Sequence, residues 1–252
     1  MKTNIRIKKL IYTKNIIIFV KKIKNYFQFI QENVNKSDMV MSASDLLKKD
    51  YATNLKFEGK WKDILGDISP DFTMMVSGAP GSGKTTFLLE FAYYMASNFG
   101  KVLYISSEEY GSVTLAEKLE DIIKHKGLHK EDESGVEKSL IPQDLFFGKS
   151  FSDLTDFNFI IVDSVNDIYL DLMDFREIRN IYPDKGFVLV LQTTKQKDEY
   201  RGGKDWEHEV DIALFMKNGK INMFKNRYGE FKCYDYFNDE SIDCEILDDD
   251  EK

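Results

Sequence analysis

Between residues 77 and 96 the chain reads SGAPGSGKTTFLLEFAYYMA, with Gly78, Gly81 and Gly83 crowded ahead of Lys84, Thr85 and Thr86. A backbone that loose, followed at once by an ammonium group and two hydroxyls, suits a phosphate. The stretch from Gly78 to Thr85 fits the pattern Gly-x4-Gly-Lys-Ser/Thr. Its glycines let backbone N–H groups curl around phosphate oxygens, and the positive end of the following helix adds to their pull. Lys84 is placed to neutralise the β- and γ-phosphates and Thr85 to hold Mg2+ by its hydroxyl. A glycine-rich turn leading into an ordinary helix would leave Lys84 without a purpose. The expected nucleotide-binding residues are Gly78, Ala79, Pro80, Gly81, Ser82, Gly83, Lys84, Thr85 and Thr86.

Two further sets of residues fit the same chemistry. FIIVDS ends a buried-looking strand in Asp163, where a carboxylate would order Mg2+ beside Thr85. An Asp at a strand end is common for other reasons, and it is the loop upstream that gives this one its meaning. VLYISSEEY carries Glu108 and Glu109 after another strand, where one acid, Glu108 in preference to Glu109, would take the proton of an attacking water. Both would equally suit a solvated helix start.

The elements that must hold these residues alternate. TMMVSG reads as a short strand, and the helix from Lys84 closes at Gly100. KVLYISSEE is a second strand, and TLAEKLEDIIKHKG an amphipathic helix with Leu115, Leu119 and Ile122 on one side. LFFG and FNFIIVDS are strands, the latter apolar on both faces as parallel central strands are. The helix LMDFREIRNIY leads to a buried strand, GFVLVLQ. The polar stretches 127–144 and 193–209 read as loops. Asn218-Gly219 marks a β-hairpin turn, and GEFKCYDYF adds a strand. This order predicts an α/β domain, a mostly parallel central sheet flanked by helices with an antiparallel hairpin edge.

Composition narrows the class. The net charge of −8 conceals a basic start and an acidic end, so the body is not built for non-specific nucleic-acid binding, and any DNA contact must be local. The longest early apolar run, IIIFV at 16–20, is far short of the ~20 residues a membrane span requires. Residues 1–40 are expected to be a basic N-terminal extension, disordered or an artefact of start-site choice. Residues 41–237 would be the domain and 238–252 an acidic tail. Cys233 and Cys244 are too few for a four-ligand zinc site. They also lie too late in the chain for a disulfide scaffold, which fits a reducing, cytoplasmic compartment.

Four ordered motifs, VLYISSEE, IIVDS, WEHEVD (206–211) and KNRYG (225–229), together with VLVLQTTK, resemble the RecA-type ATPase core, and within it the bacterial RadA (Sms) branch. The resemblance covers roughly residues 60–232. It implies ATP and Mg2+ as cofactors, with Thr85 and Asp163 at the metal, and Glu108 as general base. It further implies that Gln192 senses the γ-phosphate and that Lys225 and Arg227 reach the nucleotide of a neighbouring subunit. A homo-oligomeric ring or filament with ATP at its interfaces would follow, acting on single-stranded DNA in recombination, repair or replication, with the polar segment 195–205 turned to DNA. His208 has no metal partners in view and reads as a packing or hydrogen-bonding residue. RadA also carries a four-cysteine zinc motif and a Lon-like domain, neither of which is seen here. The chain therefore resembles a reduced RecA-like core of the kind carried by phages and mobile elements, which would act in a host cytoplasm. A KaiC-like regulatory ATPase that binds protein, and a DnaB-like helicase motor, share the same core.

Overall fold

In the computed structural model, residues 42–48, 54–125, 129–131, 137–139, 142–151, 153–194, 197–200 and 205–244 are described. The basic segment 1–40 lies outside them, as do residues 245–252 and most of the segment 195–205 expected to face DNA. Two short helices, α1 (Ala43–Lys48) and α2 (Lys60–Leu65), precede the strand β1 (Thr73–Gly78) and the helix α3 (Lys84–Asn98). Then come β2 (Val102–Ser106), α4 (Val113–His125), a small hairpin of β3 (His129–Glu131) and β4 (Glu137–Ser139), and β5 (Leu145–Gly148). The second half holds β6 (Phe159–Asp163), α5 (Leu172–Ile181), β7 (Gly186–Thr194), β8 (Lys197–Tyr200) and α6 (Asp205–Glu209). It ends with β9 (Ile212–Lys217), β10 (Lys220–Asn226), β11 (Cys233–Asp235) and β12 (Glu240–Ile242).

The main sheet runs β12-β11-β10-β9-β1-β7-β6-β2-β5, with β8 paired to β7 off this path. From β9 to β5 its neighbours are parallel, and β10 to β12 add an antiparallel edge. The expected α/β architecture is therefore present. Strand β7 lies between β1 and β6, and its register opposite β1 sets Gln192 level with Gly78. Two stretches expected to be loops contain regular backbone instead: β3–β4 in the first, and β8 and α6 in the second. Their polar composition hid this, because apolar periodicity is the signal that marks an element.

The C-terminal edge also departs from expectation. The sheet continues beyond residue 237 to β12, and Cys233 and Cys244 form a disulfide with their Cα atoms 5.0 Å apart. Antiparallel pairing of Cys233 with Ile242 brings the two cysteines within bridging distance. The expectation of no disulfide is thus overturned, and cysteine usage gives no support for a reducing compartment. Among the described residues no helix is long and apolar enough to cross a membrane.

Both faces of the sheet are covered. On one, Phe87, Leu88, Phe91 and Met95 of α3 pack with Trp61 and Phe57, and Leu115 and Ile122 of α4 join them. The Trp61 ring lies 4.9 Å from Phe91 and 5.4 Å from Phe87. On the other, Phe175 and Ile178 of α5 meet Phe187, Leu189 and Trp206. Each such side chain contributes ~1.5–3 kcal/mol by leaving water. A buried ion pair of Lys60 with Glu90 at 2.7 Å clamps α2 to α3. Glu90 also accepts the Tyr236 hydroxyl, tying the C-terminal edge to the same helix.

Candidate active site

Strand β1 is buried along its whole length and delivers the chain into the glycine loop. Gly83, at φ 98°, takes the left-handed turn that redirects the backbone into α3, a conformation that a side chain would strain. The first turn of α3 then presents N–H groups that have no acceptor within the helix. Lys84 is buried, its Nζ donating to the carbonyls of Gly78 at 2.9 Å and Ala79 at 2.8 Å, and to Ser82 Oγ at 3.3 Å. Burial lowers its pKa, and the nearby charge of Asp163 opposes that shift. Above the loop opens a cleft of about 420 Å3, lined by Pro80, Gly81, Gly83, Lys84, Thr85 and Thr86 on one wall. Gly78, Ala79 and Ser82, also expected at the nucleotide, are not among the residues lining the cleft and instead accept from Lys84 Nζ.

Ser106, Glu108, Glu109, Lys118, Asp163, Asp167 and Gln192 form much of the remaining lining. Asp163 ends β6 level with Ser106 of β2. Its Oδ2 accepts hydrogen bonds from Thr85 Oγ1 at 3.1 Å and from the Tyr104 hydroxyl at 2.7 Å. Burial raises its pKa, while the Tyr104 and Thr85 hydrogen bonds pull it back down. Burial also pushes the Tyr104 phenol well up, so tyrosine is the donor in this pair. A hydroxyl and a carboxylate beside a phosphate loop are the hard oxygen donors that Mg2+ takes together with substrate phosphates. Among the described residues no group of His, Cys, Asp and Glu would hold a metal by itself. The donor set fits Mg2+.

The two acids fall in the turn after β2, past the strand end at Ser106, and they are not equivalent. Glu109 accepts Lys118 Nζ on both carboxylate oxygens, at 2.7 and 2.9 Å, and its N–H donates to Ser106 Oγ at 3.2 Å. Glu108 is exposed at the rim of the same cleft. At the tip of β7, Gln192 donates from Nε2 to Asp167 Oδ2 at 3.1 Å, and from its N–H to Asn166 Oδ1 at 2.9 Å. The turn after Asp163 therefore holds this glutamine in the cleft wall.

Lys225 and Arg227 are not brought to the cleft. Antiparallel pairing sets Asn226 opposite Ile212, and β9 is parallel to β1, so KNRYG lies at the edge where β1 begins. The length of β1, roughly 17 Å at ~3.3 Å per residue, separates that edge from Gly78. Arg227 donates to Asp211 Oδ1 at 2.8 Å. The buried Asp211 carboxylate also accepts from Thr73 N and Oγ1. Lys225 Nζ donates to the carbonyls of Glu207 and His208. Burial, followed by the charge of Arg227, lowers the Lys225 pKa. His208 is exposed and contributes its backbone carbonyl to this contact.

Sequence reasoning did not single out Tyr104, Lys118, Asp167 or Phe237. The Phe237 ring, 64% exposed, sits against Gly83 and covers the Asn218-Gly219 turn. That turn donates Gly219 N–H to Ser82 O at 3.3 Å. The sequence read it only as the last residue of an added strand, and only the sheet edge curling back to the loop brings it here. Tyr104, likewise, is one apolar strand residue among others until its partner across the sheet is known.

A phosphate loop between a central parallel strand and a helix, with an acid on the tip of β6 and β7 between, defines a P-loop NTPase core of the RecA-like kind. No protein-family model matches the chain. It is similar to DNA repair proteins RadA: 28% identical over 65% of this chain to that of Helicobacter pylori, and 24% over 68% to that of Bacillus subtilis. The RadA of Aquifex aeolicus is 27% identical over 76% of this chain. These matches span 39 to 45% of the relatives' own lengths. The shared part is a RadA-like core domain.

Proposed function

We propose that this chain is an oligomeric, Mg2+-dependent ATPase of the RecA/RadA type that acts on DNA in recombination, repair or replication. One observation carries the reading: at the mouth of the Gly78–Thr85 loop, the Thr85 hydroxyl is hydrogen-bonded to Asp163 on a separate strand tip. That pairing joins a phosphate cradle to a metal-ordering carboxylate. In this reading the loop N–H groups and Lys84 bind the phosphates, and Thr85 and Asp163 hold Mg2+. Bound there, Mg2+ supplies positive charge against the oxygens of the transferring phosphoryl group.

In this reading Glu108, exposed at the rim of the cleft, takes the proton from water. Gln192, held by the turn after Asp163, responds to the γ-phosphate end. Arg227 and Lys225 face away from their own cleft and serve that of a neighbouring subunit, so hydrolysis depends on assembly. The names of the RadA relatives support DNA repair as the setting, and a cytoplasmic location follows from that role.

The test is phosphate release by the full chain with ATP and Mg2+, with and without single-stranded DNA. Stimulation by DNA is the expected result. Hydrolysis indifferent to DNA would move the reading to a regulatory ATPase with a protein partner, and absence of hydrolysis with or without DNA would overturn it.

A further inference from the structure

Tyr104 is fully buried on β2 and in contact with the Phe147 ring at 5.7 Å, yet it ends in a hydroxyl. A phenol in that setting needs a hydrogen-bond partner. Its partner is Asp163, 59 residues away, on the oxygen that also accepts from Thr85. Two donors thus converge on Oδ2, and among the described residues Oδ1 accepts no hydrogen bond. The carboxylate is held by one edge against the protein, with the other edge uncommitted in a cleft that Asp163 lines.

We propose that Tyr104 is a positioning residue that fixes the rotation of the Asp163 carboxylate, and thereby sets how tightly the phosphate site takes a divalent cation. This rests on the nucleotide reading of the cleft. Thr85 alone, at 3.1 Å, leaves the carboxylate free to swing about that single contact. The shorter bond from a rigid ring, wedged in the core between β2 and its neighbours, removes that freedom. The ring is large enough to pack as phenylalanine would, so the hydroxyl is the part the metal site uses.

The experiment compares the full-length wild type with Tyr104→Phe and Asp163→Ala, using Mn2+ as the probe. Mn2+ binding in the presence of ADP is followed by electron paramagnetic resonance, and ADP binding without metal by calorimetry. Tyr104→Phe should bind ADP alone as the wild type does. Its Mn2+ affinity should fall by ~10–100-fold, the range for losing a partner that orients a metal ligand. Asp163→Ala should lose more. Wild-type Mn2+ affinity in Tyr104→Phe, alongside impaired Asp163→Ala, would overturn the tyrosine's role and leave the cleft reading standing. Unchanged binding in Asp163→Ala would overturn both. A measurement on the unsubstituted chain covers the case of a misfolded variant. The Tyr104 13Cζ resonance should shift when Mg2+ is added to the ADP complex, and an unmoved resonance would count against the proposal.

Discussion

At the residue scale the cleft is lined by one buried cation, Lys84, and four acids, Glu108, Glu109, Asp163 and Asp167. Lys84 is the loop's only lysine or arginine, and its Nζ already lies across the loop carbonyls. Lys84→Ala is therefore expected to abolish ATP hydrolysis, read as phosphate release. Glu108→Gln should retain nucleotide binding and lose ~10²–10⁴-fold in turnover, the usual contribution of a general base. Glu109→Gln should weaken the Lys118 contact and cost less turnover. A rate ordering opposite to this, measured at saturating ATP, would move the base by one position.

At the element scale the phosphate loop leans on the C-terminal edge of the sheet. Gly219 sits at φ 78° in the hairpin turn, its N–H is bonded to Ser82 O, and a methyl group there would run into the Phe237 ring. Gly219→Ala should destabilise the chain by at least the ~1–2 kcal/mol that a left-handed residue with a side chain costs, measured by denaturant unfolding. It should also weaken ADP binding, because the ring it displaces lies against Gly83. The edge is further held by the Tyr236–Glu90 contact and the Cys233–Cys244 bridge. It is thus a built part of the domain, not a tail.

At the scale of the whole molecule, the two halves of the proposed reaction lie at opposite ends of the sheet. If Arg227 serves a neighbour, Arg227→Ala should bind ATP normally and hydrolyse it poorly, and mixing it with Lys84→Ala should restore activity. A mixed interface pairs an intact phosphate loop from one subunit with an intact arginine from the other. An arginine supplied in this way is worth ~10³–10⁵ in rate, so a few mixed interfaces would stand well above background. Activity no greater than the sum of the two variants, with mixed assembly verified, would leave KNRYG as a strand end. Separately, a chain begun at Met41 should keep the thermal stability and ATPase rate of the full chain. Loss of folding in it would make residues 1–40 part of the domain.

What was legible in the sequence is what covalent neighbours determine. The Gly78–Thr85 loop, its following helix and the Asn218-Gly219 turn depend on residues a few positions apart, and the structure has all three, with Asn218 at φ 52° and Gly219 at φ 78°. The run from Phe159 to Val162 declared a buried parallel strand by being apolar on both faces, and Asp163 ends it. Strand order and register were not local properties. They decided that Tyr104 meets Asp163, that Lys118 takes Glu109, and that Cys233 meets Cys244. They also turned Arg227 away from its own cleft and onto Asp211. Each of these contacts joins side chains whose separation in the chain says nothing of their separation in space. That distance is set by which strands lie side by side and at what offset, and so by the packing of the whole sheet.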